Sequence, residues 1–155
     1  MPMRSITTRV ASPLIASIFI RGGLDAAMDP EGKVKKAEKV TRPIAQRVTA
    51  LPDDTEMLVR VNGATQVVAG VAMSLGILRR LSAAVLAGTL VPTTLAGHRF
   101  WEELDEDKRS QQITHFAKNL GLLGGLLLIA TERTTSRSSR SKKERKGRLP
   151  FLRSR

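Results

Sequence analysis

Cysteine and tyrosine are absent from the 155 residues, and the aromatics are limited to one Trp and four Phe. Without cysteine there is no disulfide, no thiolate metal site and no cysteine nucleophile. No side chain here cycles electrons readily, so a redox role needs a bound cofactor or a partner. The scarcity of aromatics argues against a base-stacking nucleic-acid module, and no nucleic-acid partner is expected. A mean hydropathy of -0.12 hides a strong segregation of apolar from polar residues.

The charge is equally uneven. The formal net charge is +12. Up to Glu132 there are sixteen Lys/Arg against thirteen Asp/Glu, and from Arg133 to Arg155 there are ten against one, Glu144. The chain therefore divides into residues 1–132, which hold the apolar runs, and a basic tail of residues 133–155 rich in Ser, Arg and Lys. That composition is expected to be disordered.

Four apolar stretches span residues 10–28, 61–78, 81–97 and 113–131. A hydrocarbon core about 30 Å thick needs roughly 20 helical residues, with a usable range of about 17–25. Each stretch reaches the lower part of that range, and the first is broken by Arg21 and Asp25. A soluble four-helix bundle needs a wet face on every helix. The third stretch offers only Ser82, Thr89, Thr93 and Thr94, whose hydroxyls can bond back to helix carbonyls. The spacing thus predicts an all-α fold: a four-helix transmembrane bundle in the cell membrane. Arg4 and Arg9 before the first apolar run also fit a signal peptide, but Arg21 and the lack of a small-x-small site favour a retained helix.

Lys/Arg placement sets the expected orientation. With four spans, both termini share a side with the Arg79-Arg80 turn and the basic tail, and that side is expected to be cytoplasmic. The first loop opposes this, with six Lys/Arg balanced by six acids; the double arginine and the tail outweigh it. Within that loop Val40, Ile44, Val48 and Leu51 recur at helical spacing, predicting a short surface helix from Val40 or Arg42 to Leu51, opened by Pro43 and stopped by Pro52. Small residues four apart (Ala72/Gly76, Ala84/Gly88 and Gly121/Gly125) support close helix packing.

Ionisable and amide side chains at membrane depth are functional candidates. Arg21 and Asp25 share a face and can neutralise each other. Arg60, Asn62 and Gln66 open the second span, and His115, Lys118 and Asn119 share a face near the start of the fourth. In a four-span topology all of these lie at one depth, either as a polar pocket within the bundle or as markers of helix ends. His98, Glu102 and Glu103, with His115 nearby, invite a metal reading, but there is no HExxH or paired ExxH pattern and acidic loops are usually just solvated, so no metal site is expected. Phe100 and Trp101 fit an interfacial anchor. The tail beside a span is expected to attract anionic headgroups.

The strings FIRGGLDAAMDPEGKV, LVRVNGATQVVAGVAMSLGILRRLSAAVLAGTLVPTTLAGHRFWEE and HFAKNLGLLGGLLL resemble the DoxX family of small bacterial membrane proteins. They cover most of residues 10 to 131. The resemblance implies a four-helix membrane protein that serves as an accessory subunit of a quinone-coupled or thiol/oxidative-stress oxidoreductase assembly. It carries over no catalytic residue. The ligand-binding candidates, chosen on polarity and membership of those strings, are Arg21, Asp25, Arg60, Asn62, Gln66, His98, Trp101, Glu102, His115, Lys118 and Asn119. Two functions follow as expectations: a non-catalytic membrane subunit with oxidoreductase partner proteins and membrane lipids around it, or a quinone- or lipid-binding enzyme. For the enzyme, donors such as His115 and Lys118 would stabilise charge on a quinone oxygen. A small-solute transporter ranks last, since four short spans show no repeat symmetry.

Overall fold

The computed structural model describes residues 4–48, 52 and 54–132. The tail of residues 133–155 lies outside the described residues. The described elements are all helical: α1 (Arg4–Met28), α2 (Glu31–Arg47), α3 (Thr55–Ser74), α4 (Arg79–Gly97), a 3-10 turn (Phe100–Glu102) and α5 (Glu106–Thr131). α1, α3, α4 and α5 form an antiparallel up-and-down bundle. α3 packs along both α1 and α4, and α5 packs on α4. α2 crosses one end of the bundle, against α3 and α4.

The core is small and apolar. Ala16 and Phe19 of α1, Ala69 and Met73 of α3, Ala83, Leu86, Ala87 and Leu90 of α4, and Leu126 and Ile129 of α5 form one buried cluster. The outside of the bundle is apolar too: Leu14 is 66% exposed, Val68 70% and Leu128 74%. A large exposed apolar surface on every long helix is what hydrocarbon, not water, solvates. Three segments are by themselves long and apolar enough to cross a membrane: Val10–Met28, Arg79–Glu102 and Glu106–Thr131. α3 falls short because Arg60, Asn62 and Gln66 open it. Packed lengthwise between α1 and α4, it crosses wherever they do.

Small residues set the α1–α3 seam, although not at the spacings expected. A Cβ on Gly23 would sit 2.6 Å from the Gly63 carbonyl oxygen, and one on Gly63 would meet the Gly23 carbonyl oxygen at the same distance. A Cβ on Gly70 would meet Ile20 Cγ1 at 2.8 Å. The two backbones therefore touch where only glycine fits. Gly88 and Gly121 face open space instead, and Gly125 meets only Ile15 Cδ1, at 3.5 Å.

Gly76 ends α3 rather than packing against a neighbour. Its φ of +74° allows the Ile77 amide to donate to the Ala72 carbonyl (2.8 Å) and its own amide to the Met73 carbonyl (3.1 Å). Those paired bonds are a Schellman C-cap, and they stop α3 at Ser74, not at Leu78. Leu78 then turns the chain at φ 44° into α4.

α2 also departs from expectation. It starts at Glu31, just after Pro30, and carries Pro43 inside it. A proline followed by an acidic first turn is a helix-start signal, and it outranks Pro43 here. Residues 49–51 lie outside the described set.

Candidate functional site

One end of the bundle holds the C-termini of α1 and α4, the N-termini of α3 and α5, and α2 laid across them. At the other end Arg79 pairs with Glu132, and Arg80 Nε donates to the Ala130 carbonyl (3.0 Å). The candidate residues all belong to the first end, where they sort into three groups.

The first group joins α3, α4 and α5, with Gln66 and Thr94 buried, Asn62 and Asn119 half-buried and Thr93 exposed. α3 sends Asn62 Nδ2 and Gln66 Nε2 to Thr93 Oγ1 of α4, at 3.0 and 3.2 Å, and Thr93 donates in turn to the Thr89 carbonyl (2.8 Å). One hydroxyl thereby uses its single proton and both lone pairs. α5 sends Asn119 Nδ2 to Thr94 Oγ1 (3.0 Å), and buried Thr94 donates to the Leu90 carbonyl (2.7 Å). Three helices are thus stitched through adjacent threonines that directly follow Pro92, where the α4 backbone lacks a donor. In the sequence Thr93 and Thr94 stand out only as tolerable hydroxyls. Their place as acceptors depends on helix register.

The second group lies at the mouth. His98 Nδ1 meets Gln112 Oε1 at 2.9 Å, so Nδ1 carries the proton with the amide so oriented. The His98 and His115 rings stack 5.0 Å apart and 9° from parallel, and His115 is exposed. Trp101 and Phe100 form an edge-to-face cluster with Phe116, and the Arg99 guanidinium lies 5.6 Å from the Trp101 ring centre. Glu102 divides its carboxylate between Arg99 and Lys39 of α2, each at 2.6 Å.

The third group joins neither of the first two. Asp25 pairs with Lys33 at 2.8 Å rather than with Arg21, because the chain after α1 folds Lys33 back over the helix end. Lys33 Nζ also donates to the Asp29 carbonyl (3.1 Å). Arg21 is exposed. Arg60 donates to the Ala27 carbonyl (2.7 Å) and pairs with Glu56 (2.9 Å). Lys33 and Arg60 therefore satisfy the last carbonyls of α1, as cations at a helix C-terminus do. Lys118 is exposed on α5.

Two clefts open away from these groups. One, of about 480 Å³, lies between α2 and the start of α3 and is lined by Val34, Glu38, Arg42, Gln46, Asp54, Thr55 and Glu56. The other, of about 460 Å³, is an apolar groove between α3 and α4 with Val61, Val68, Leu81 and Val85 in its walls. Among the described residues no three His, Asp or Glu side chains gather as a metal site would need.

A family model for DoxX matches residues 10–99. The chain belongs to the DoxX family. No curated protein and no solved structure matches it. As a DoxX protein it is a multi-pass membrane protein. The match covers α1 to α4, with Asn62, Gln66, Thr93, Thr94 and His98 inside it. It stops at Arg99, so Trp101, Glu102, His115, Lys118 and Asn119 lie beyond it.

Proposed function

We propose that this DoxX protein is a non-catalytic membrane subunit, a scaffold for an oxidoreductase assembly in the cell membrane. The observation that carries the reading is the commitment of the amides between helices: Asn62, Gln66 and Asn119 donate to Thr93 and Thr94. Donors held by neighbouring helices fix the bundle and are not aimed at a substrate. With no cysteine to cycle electrons, redox chemistry falls to partner subunits, in keeping with what the family resemblance implies. Both chain ends are assigned to the cytoplasm, with the Arg79-Arg80 turn, and the tail meets anionic headgroups there. Purification in mild detergent tests the scaffold: an oxidoreductase subunit should co-elute, and a monodisperse protein that carries none counts against it. Because the chain lacks cysteine, single cysteines at Ser74 and Ser110 report sidedness through an impermeant maleimide. Only the cysteine at Ser110 should label from outside the cell.

A second reading, a quinone- or lipid-binding site, is favoured by the His98–His115 stack. Its exposed member, His115, lies on the same helix as Lys118. If His115→Ala and Lys118→Ala change neither quinone binding nor quinone reduction, a quinone enzyme is ruled out.

A further inference from the structure

We infer that the seam between α1 and α5 is a lateral opening that holds one anionic phospholipid of the surrounding bilayer, with its phosphate on Lys118 and an acyl chain against Gly22. It shares Lys118 with the second reading, and the His98–His115 stack plays no part in it. It does not require an oxidoreductase partner.

The opening follows from how α1 leans. Toward the end that carries α2, Gly23, Ala26 and Ala27 of α1 press on Gly63: a Cβ at Gly63 would meet the Gly23 carbonyl oxygen at 2.6 Å, the Ala27 nitrogen at 2.9 Å and Ala26 Cβ at 3.0 Å. α1 is thus drawn onto α3 there. No extended backbone seam forms between α1 and α5. They meet through Ile15 Cδ1, which lies 3.5 Å from where a Gly125 Cβ would be.

Helical geometry gives the next contact along. Seven residues are about two turns and return to nearly the same face, about 10.5 Å along the axis. α1 and α5 run antiparallel, so the step from Ile15 leads to Gly22 and the step from Gly125 leads back to Lys118. These two positions face each other across the seam, two turns nearer the α2 end. A Cβ at Gly22 would meet nothing within 4 Å, and Gly22 and Lys118 are both exposed. One lip of the opening has no side chain, and the other carries a cation.

Charge and depth select the occupant. Among the described residues Lys118 makes no ion pair, whereas Lys33, Lys39 and Arg60 each have a carboxylate partner. Lys118 lies five residues inside the apolar part of α5, about 7.5 Å along the helix. From there its stem can follow apolar surface and place the ammonium at the headgroup boundary. Bilayer phosphates occupy that level, and the acyl chain below one meets the apolar walls made by Ile15 and Leu122, both half-buried. An unpaired cation at this depth is costly, and a phosphate neutralises it. A neutral quinone head would leave the charge uncompensated.

Native mass spectrometry of the full chain, titrated in detergent with phosphatidylglycerol or phosphatidylcholine, tests the proposal. The wild-type chain should retain phosphatidylglycerol about fivefold better. Lys118→Gln should lower that preference, and Lys118→Arg should keep it. The basic tail is the same in all three chains, so its own attraction for anionic headgroups cancels when the chains are compared. Gly22→Leu, which fills the opening, should lower retention of both lipids together. An unchanged preference in Lys118→Gln overturns the proposal. So does a neutral quinone retained in place of phospholipid, or a second copy of the chain that stays bound when lipid is removed. These results are separable from failure of the scaffold, which would show as a missing partner with lipid preference intact.

Discussion

α1 meets its two neighbours in opposite ways. Against α3 the contact is backbone on backbone, Gly23 to Gly63, with Ile20 driven onto Gly70. Against α5 it is a side chain, Ile15, reaching toward Gly125. In hydrocarbon no hydrophobic effect drives helices together, so association rests on close packing and interhelical hydrogen bonds. The α1–α3 seam relies on the first. The α3–α4–α5 side relies on the second, through Thr93 and Thr94. The α1–α5 seam has little of either. Cohesion in this bundle is therefore directional, and it predicts which substitutions matter.

The largest expected effect is at the glycine crossing. Gly63→Ala puts a methyl against backbone, which no rotamer change relieves, and should cost about 3 kcal/mol, at the upper end of overpacking penalties. Thermal unfolding in detergent reads this. A tolerated Gly63→Ala would mean that α1 does not touch α3 there. Next comes Thr93→Val, which keeps the shape and removes the shared acceptor. Two amide donors lose their partner at once, for a loss of about 1–2 kcal/mol by the same assay. Thr94→Val strands only Asn119 and should cost about half as much. Equal losses at the two threonines would break the account of Thr93 as the hub.

How much of this was legible follows from which contacts are local. The four apolar runs gave the helices, and three of the four C-terminal ends (Met28, Gly97 and Thr131) match to the residue, because apolar runs end where the spans do. α3 stopped early because Gly76 serves its own helix as a cap. Asn62, Gln66 and Asn119 were recognisable as polar groups that must find partners. Their partners were not, because register between helices decides which threonine stands opposite. Gly23 and Gly63 stayed hidden for the same reason. The small pairs sought four apart lie within one helix, whereas the glycines that touch sit singly on two. Arg21 and Asp25 showed the converse error, a local i,i+4 pairing displaced by Lys33 from the next segment.

A weaker effect is expected where α2 is tied down. Glu102→Gln removes the carboxylate that Lys39 and Arg99 share. Exposed ion pairs contribute little and are screened by salt. The expected signature is faster hydrogen exchange in α2 at low ionic strength, with the wild-type difference gone in concentrated salt. If the variant exchanges like wild type even at low ionic strength, α2 is held by packing around Ala37 and not by the ion pair.

The smallest change also has the opposite sign. Gly121 lies inside α5 and faces open space, so an added methyl meets nothing and the helix gains a better former. Gly121→Ala, and likewise Gly88→Ala on α4, should leave stability unchanged or raise it by up to about 1 kcal/mol. A marked loss at Gly121 would have to come from a second body on that face, since no described residue is near enough to clash. α5 would then be closely packed on both sides, and the contrast between a tight and a loose side of the bundle would hold only for the isolated subunit. Measuring the variant alone in detergent and again in native membranes separates the two cases. A penalty that appears only in the membrane belongs to a partner.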